Sequence, residues 1–384
     1  MRLSSEFTID RCELALVELA RNIADNDCII PTKSKHAQFG GDAAISQLIL
    51  SWAQARDPCR IVLFVDQDGT SQIEAFVSRL HGLVAGLCCQ AAVSFEKGSD
   101  VGEAVKSAAL RRLDTLQGRD PRLATRGIAV EIMCADHLGR SAPILLYRSG
   151  EGGSMSLRSE NEFQAVARRL LRSATPEVYH SWLKQNDINA AGSLIYELFK
   201  NTDDHARGDW RGGRLKSSVR GFVVRHHLIA RDTLRSQIGN IGGLQRFLSR
   251  VNPPSGAASN IQLLEISVLD SGPGYAPRLL QRPMTNISFP DEVEAVVRCF
   301  EKNVSVKRED GSGMGLPYIL ELLRRHQGVM KLRTGHVSLV LDPSEADAAN
   351  DGGRLRDIGG SSKITSLAPV SGTLVTIILP LSAP

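Results

Sequence analysis

A carboxylate, an amide and a second carboxylate recur at helical spacing in the stretch NAAGSLIYELFKNTDDHA at 189 to 206. Glu197, Asn201 and Asp204 follow one another at steps of four and three residues, so a helix presents all three on one face. An apolar stripe that ends at Leu198 would seat this helix on a core. The three polar side chains are therefore candidates for a ligand or metal site.

A second candidate is DSGPG at 270 to 274, which follows the apolar stretch IQLLEISVL. Asp270 ends a predicted strand, and Gly272 and Gly274 allow a tight turn whose backbone can approach a flat ligand closely. A carboxylate there accepts amine hydrogens, which suits the amino group of adenine. Taken alone, the motif is equally compatible with an ordinary turn after a strand.

A third candidate is GSGMGLPYILELL, in which Gly311, Gly313 and Gly315 precede a predicted helix. The first backbone N–H groups of a helix and the positive end of its dipole favour a phosphate. No Lys follows the last glycine, so this is not the G-x-x-x-x-G-K-[ST] loop, and a dinucleotide fingerprint would need a strand directly before it. Taken together with the polar helix face, the two glycine motifs predict a nucleotide site.

The order of these motifs resembles that of the GHKL (Bergerat-fold) ATPase superfamily, which includes gyrase-type topoisomerases, heat-shock and mismatch-repair ATPases and sensor histidine kinases. E-x-x-x-N-x-x-D, D-x-G-x-G and G-x-G-x-G are followed by PVSGTLVTIILPL at 369 to 381. The resemblance covers roughly residues 160 to 384. It implies a histidine-kinase-like ATP-binding domain with ATP and Mg²⁺ as ligands.

The resemblance also implies roles for individual residues. Asn201 would be the Mg²⁺ ligand, and Glu197 the base that orients or deprotonates the attacking water. Asp270 would recognise adenine, with Gly272 and Gly274 lining the base.

The remaining expected nucleotide contacts lie on the ATP lid and near it. The lid and the segment before it would supply Lys307, Gly311, Ser312, Gly313, Met314, Gly315 and Leu316. Thr373, after Gly372, would support Asp270. Asp204 matches a position that helps to hold the nucleotide, although His205 stands where a small residue is common. Lys302 precedes the lid as Lys307 does, but exposed lysines beside a loop are usually solvated.

Phosphoryl transfer needs positioning and charge neutralisation, which a metal ligand, a helix end and a water-orienting carboxylate provide. We expect an ATPase that acts as a conformational switch on a protein partner or on the amino-terminal region, as a homodimer. A protein kinase of the same superfamily and a non-hydrolysing nucleotide-binding scaffold are the alternatives. His180 and His137 lack the acidic neighbour of a histidine-kinase phosphoacceptor, whereas a kinase acting on a separate protein needs no such residue.

Strands and helices alternate along the chain, which predicts an α/β fold. We expect a smaller α/β domain over 1–150 for sensing or partner binding, a linker at SGEGGSMS (149–156) and an ATP-binding domain over 157–384. The second domain should be a two-layer α/β sandwich with a mixed sheet. Helices are predicted at 9–26, 42–55, 71–87, 100–117, 160–173, 176–185, 189–203, 232–250, 291–302 and 316–327.

The composition bears on the partners and the cellular location that we expect for the protein. Lys plus Arg exceed Asp plus Glu by 46 to 42 over 384 residues, a net charge of +4 that argues neither for nor against nucleic acid. No run approaches the roughly 20 apolar residues of a membrane span. The seven cysteines show no C-x-x-C spacing, so we expect reduced thiols and a cytoplasmic location.

Three further signals have a structural interpretation that we favour. Asp66 and Asp68 in VDQDGT resemble a phosphatase nucleophile loop, but no convincing acid pair follows within 1–150. Arginines around Trp210 are compatible with nucleic-acid binding, and a solvated loop anchored by the Trp is favoured. The adjacent His226 and His227 have no second ligand set with metal spacing.

Overall fold

The computed structural model describes residues 1–22, 26–33, 35–36, 39–66, 69–230, 233–234, 244, 247, 251, 260–301, 315–342 and 355–381. Its α/β fold contains a large antiparallel sheet and a small parallel sheet. None of the helices in these ranges is long and apolar enough to cross a membrane.

Helices are present at all the predicted positions but two: 176–185 contains only a short 3₁₀ helix, and most of 232–250 lies outside the described residues. The first seven are α1 Ile9–Arg21, α2 Gly41–Ala55, α3 Thr70–Val77, α4 Leu80–Cys88, α5 Gly102–Leu116, α6 Glu160–Ala174 and α7 Gln185–His205. Three more span Tyr275–Leu280, Phe289–Arg298 and Gly315–Arg325. Short 3₁₀ helices lie at Asp136–Leu138, Glu151–Gly153, Glu177–Trp182 and Met284–Asn286. The start of α6 illustrates the local cause, because Ser159 and Glu162 form a capping box.

The longer strands follow the runs rich in Val, Ile and Leu, whereas the strands of two or three residues do not. They are β1 Glu6–Phe7, β2 Asp27–Ile30, β3 Lys35–His36, β4 Arg60–Leu63, β5 Ala91–Ser94, β6 Thr125–Arg126, β7 Ala129–Ala135, β8 Tyr147–Ser149, β9 Met155–Leu157, β10 Val219–Ala230, β11 Asn260–Asp270, β12 Val329–Gly335, β13 Val337–Leu341, β14 Arg356–Asp357 and β15 Val370–Pro380. The large sheet has the order β14-β13-β12-β15-β11-β10-β7-β6, and the parallel sheet has the order β2-β4-β5.

Every pairing between the described strands of the large sheet is antiparallel, whereas a mixed sheet was expected. The fold also has more than two layers, because both faces of this sheet are covered. Phe222 of β10 contacts Phe199 of α7, while Arg225 of the same strand pairs with Asp42 of α2. Side chains three residues apart on a strand point to opposite faces, so α7 and α2 lie on opposite sides of the sheet.

The large sheet also crosses the predicted boundary at residue 150, because β6 and β7 precede it, β7 pairs with β10, and β6 pairs with β7. The two regions share one continuous hydrophobic core. The glycine-rich segment at 149–156 lies largely in a hairpin, in which β8 pairs with β9, rather than in an extended linker.

Candidate functional site

Helix α7 positions the polar triad. Its apolar side is buried at Leu194, Ile195, Leu198 and Phe199, and the Phe199 ring meets Phe222 of the sheet edge-on at 5.7 Å. Burial of this face fixes the rotation of the helix, as the spacing predicted. Glu197, Asn201 and Asp204 consequently share the half-buried side that faces away from the sheet.

Glu197 lies directly against the start of the helix Gly315–Arg325. A Cβ atom built on Gly315 would overlap Oε2 of Glu197, so a larger residue at this position would have to push the Glu197 carboxylate aside. Burial raises the pKa of Glu197, and the neighbouring Glu160 carboxylate raises it further. Glu160 is held in place by Ser193, whose hydroxyl donates to Oε1 at 2.6 Å.

Asn201 lies one turn further along the same face, between Glu197 and the end of the helix. Asp204 forms an ion pair with Lys200, whose Nζ donates to Oδ2 at 2.8 Å. The Asp204 carboxylate is thus engaged by a lysine of its own helix. The expected contact between Asp204 and a nucleotide stays a prediction.

Asp270 ends β11 as predicted and is 7% exposed. Its Oδ1 accepts the backbone N–H of Gly272 at 2.8 Å, and the backbone of Thr373 on β15 provides a second hydrogen bond. Burial nevertheless raises the pKa of this carboxyl to about 6.

The turn after Asp270 packs on the carboxyl end of α7. A Cβ on Gly272 would lie 2.7 Å from Cα of Ala206, so this position excludes larger residues. Gly274 has φ +84° and Gly372 has φ +69°, a backbone conformation that glycine adopts without strain. Thr334 links this region, since its hydroxyl donates to the Gly372 carbonyl at 3.1 Å.

Six of the predicted site residues lie outside the described ranges: Lys302, Lys307, Gly311, Ser312, Gly313 and Met314. Their roles stay predictions. Leu316 is 8% exposed and packs in the hydrophobic core. Thr373 lies opposite Asp270 in the pairing of β11 with β15, as its predicted supporting role requires.

A buried ionic cluster, not predicted from the sequence, surrounds Arg220 of β10, which is 0% exposed. Its guanidinium contacts Asp136 in a bidentate pair, with Nε to Oδ2 at 3.0 Å and Nη2 to Oδ1 at 3.2 Å. Nη1 lies 3.1 Å from Oδ1 of Asp203 on α7, and it donates to the Tyr147 hydroxyl at 3.0 Å. The cluster ties the last turn of α7 to the sheet beside Asp270. The only signal for it was an arginine inside an apolar strand.

Replacing Arg220 by Met should lower the free energy of unfolding by about 3–5 kcal/mol, because Asp136 and Asp203 would lose their shared buried cation. Urea unfolding measures this loss. Arg324→Met is the control, since Arg324 pairs with Glu321 on an exposed helix surface and its loss should change stability by about 0.5 kcal/mol or less. A loss below about 1 kcal/mol for Arg220→Met would contradict this role.

Residues from the three sequence signals with a favoured structural interpretation contact other side chains of the protein. Asp66 accepts a hydrogen bond from Gln72, and Asp68 lies outside the described residues. The Arg211 guanidinium lies 4.3 Å from the Trp210 ring centre. His226 and His227 contact Gln262 and Glu265, each at 2.9 Å. Within the described part of the chain, no three His, Cys, Asp or Glu side chains are placed to hold a metal.

Comparison with known proteins does not assign the chain to a family. No family model matches it, and no curated protein or solved structure matches it either.

Proposed function

We propose that the chain binds ATP with Mg²⁺ between α7, the Asp270 turn and the helix that begins at Gly315, and that it hydrolyses this ATP. The arrangement along α7 carries the proposal: Gly315 abuts Glu197 and Gly272 abuts Ala206, with Asn201 between them. The two contacts lie roughly 14 Å apart along the helix axis. A nucleotide with its base at Asp270 would direct its phosphates toward Asn201 and Glu197.

At the base end, Asp270 supplies a buried carboxylate whose Oδ1 is oriented by the Gly272 N–H. An ionised carboxylate accepts the amine hydrogens of adenine, whereas the carbonyl oxygen of guanine in the same place would be repelled. The tight turn at Gly272 and Gly274 leaves backbone rather than side chains along the base. This end of the site therefore favours ATP over GTP.

At the phosphate end, the chemistry of the donors fits magnesium. Mg²⁺ binds through one or two protein oxygens together with substrate phosphates and waters, so a single amide oxygen is a sufficient protein contribution. Asn201 would hold the ion, and the ion would supply charge neutralisation on the phosphates.

Glu197 would act on the attacking water. Burial and the Glu160 charge raise the pKa of its carboxyl, which makes the ionised form a stronger base than an exposed glutamate. The adjacent start of the helix Gly315–Arg325 presents backbone N–H groups that stabilise negative charge. The Glu197 carboxylate would thus accept a proton next to a helix end that stabilises an anion.

Replacing Gly315 by Ala should reduce phosphate release from ATP by about 10- to 100-fold, because the new methyl group must displace the Glu197 carboxylate. The thermal midpoint should change little, since a flexible side-chain end can move aside. Gly41→Ala is the matched control, as a Cβ there meets nothing within 4 Å. Wild-type turnover in Gly315→Ala would show that the Glu197 contact has no part in hydrolysis.

The use made of the ATP is a separate proposal. We favour a conformational switch that acts on a protein partner or on the amino-terminal region, because α2 of that region packs directly on β15 and β11, the strands that carry Thr373 and Asp270. Purified protein with γ-labelled ATP distinguishes the alternatives. Free labelled phosphate supports the ATPase, label on a partner protein supports a kinase, and binding without turnover supports a scaffold.

A further inference from the structure

The small parallel sheet brings Cys59 and Cys89 side by side. Cys59 immediately precedes β4, and Cys89 lies two residues before β5, the adjacent parallel strand. Gln90 holds the two segments together, because the Cys59 N–H donates to its Oε1 at 2.7 Å and its own N–H donates to the Cys59 carbonyl at 3.1 Å. These two hydrogen bonds, together with the pairing of β4 with β5, hold the two segments next to each other.

The two thiols also interact chemically. Cys89 donates a hydrogen bond to the Cys59 sulfur, and this bond is the largest factor that lowers the pKa of Cys59 to about 7. Burial, followed by the same bond, raises the pKa of Cys89 well above its ordinary value. The pair therefore loses its first proton near neutral pH and retains the second between the two sulfur atoms.

A cavity of about 350 Å³ opens onto Cys89 and its neighbour Cys88. Its lining also includes His137, Lys106 and Lys216. Cys89 is partly exposed, whereas Cys59 behind it is only 1% exposed. Lys216 is paired with Asp57, and Lys106 adds a positive charge to the cavity that suits a small anionic reagent.

We propose that Cys59 and Cys89 form a reversible dithiol–disulfide site that reacts with a small, anionic organic disulfide through this cavity. The Cys89 sulfur, deprotonated when the shared proton moves to Cys59, attacks one sulfur of the reagent. A mixed disulfide forms, and one thiolate leaves. Cys59, after losing its proton, attacks the Cys89 sulfur, closes the Cys59–Cys89 bond and expels the second thiolate. The protein loses two protons and two electrons, and the reagent gains them as two thiols.

Four other cysteines lack this combination. Burial raises the pKa of Cys12, Cys88, Cys134 and Cys299 to about 12, and in none of the four is this offset by a hydrogen bond from a second thiol. Cys88 is the informative neighbour, since it adjoins Cys89 in the chain and its carbonyl accepts from the Cys59 thiol at 3.6 Å. We therefore expect oxidation to select the Cys59–Cys89 pair over the vicinal Cys88–Cys89 pair.

The test treats the full chain with oxidised glutathione at pH 7.5, blocks free thiols with iodoacetamide and maps peptides by mass spectrometry. We expect two of the seven thiols to be lost, a Cys59–Cys89 linked peptide to appear, and dithiothreitol to reverse both changes. Cys59→Ser should accumulate glutathione on Cys89, whereas Cys88→Ser should form the disulfide like the wild type.

Two results would overturn the proposal. One is a wild-type chain in which Cys59 and Cys89 both stay fully alkylatable under these conditions. The other is a Cys88–Cys89 link in place of the Cys59–Cys89 link. Both results are measured on the wild-type chain, so a variant that fails to fold does not weaken the test.

Discussion

Replacing Glu197 by Gln is expected to reduce the rate of ATP hydrolysis by about 10²–10⁴-fold, the range associated with loss of a general base. The amide keeps the size of the side chain and its contact with Gly315, but it cannot accept a proton from water. ATP affinity should stay within a few-fold of the wild type, because Asp270 and Asn201 are unchanged. Phosphate release and equilibrium ATP binding, measured on the same samples, separate the two effects.

The matched control for this prediction is Glu321→Gln. Glu321 lies on the exposed side of the helix Gly315–Arg325 and pairs with Arg324 and Arg325 of its own helix. Its replacement should leave hydrolysis unchanged. If Glu197→Gln hydrolysed ATP as fast as this control, Glu197 would not be the base, and the kinase or scaffold alternative would be favoured.

Replacing Asp270 by Asn is expected to abolish detectable ATP binding while making the free protein more stable at pH 7. An amide can still accept the Gly272 N–H, but its own NH₂ group opposes the amino group of adenine. The variant is more stable because the wild type loses free energy of folding by keeping the buried Asp270 carboxylate charged at this pH. With the pKa of Asp270 raised from 3.8 to about 6, that cost reaches about 3 kcal/mol.

The pH dependence of Asp270 follows from the same shift. Its carboxyl is protonated in both folded and unfolded chains below about pH 3.8, and the wild type loses stability as pH rises from there to about 6. Asp270→Asn should lack this loss. ATP affinity should show the opposite trend and weaken as pH falls below about 6, because the neutral acid is a poorer acceptor. Urea unfolding and calorimetric titration at several pH values test both trends. Equal stability of variant and wild type at pH 7 would contradict the assigned cost.

Much of the candidate site was predictable because it depends on local periodicity. The apolar spacing around Leu194 and Leu198 determines which side of α7 is buried, and this places Glu197 and Asn201 on the other side. Asp270 was predictable for a similar reason, since a buried strand ends where its apolar run meets a turn motif.

Features that depend on distant pairing were not predictable. The run at 127–134 reads as a strand, but nothing local indicates that β7 pairs with β10, about 90 residues later, rather than with the parallel sheet. Asp136 and Asp203 precede Arg220 by 84 and 17 residues, so no spacing rule brings both of them to it. The predicted helix at 71–87 divides into α3 and α4, and across this break the backbone of Gly82 lies close to the Phe76 carbonyl.

The central claim is that Asp270, Asn201 and Glu197 line one ATP site. Calorimetric titration of the purified chain with ATP, and separately with GTP, in the presence of Mg²⁺ tests this most directly. We expect saturable binding of ATP that is lost in Asp270→Asn, weakened by removal of Mg²⁺ or by Asn201→Ala, and much stronger than binding of GTP. Absence of ATP binding to the wild type, or equal binding of ATP and GTP, would contradict the claim.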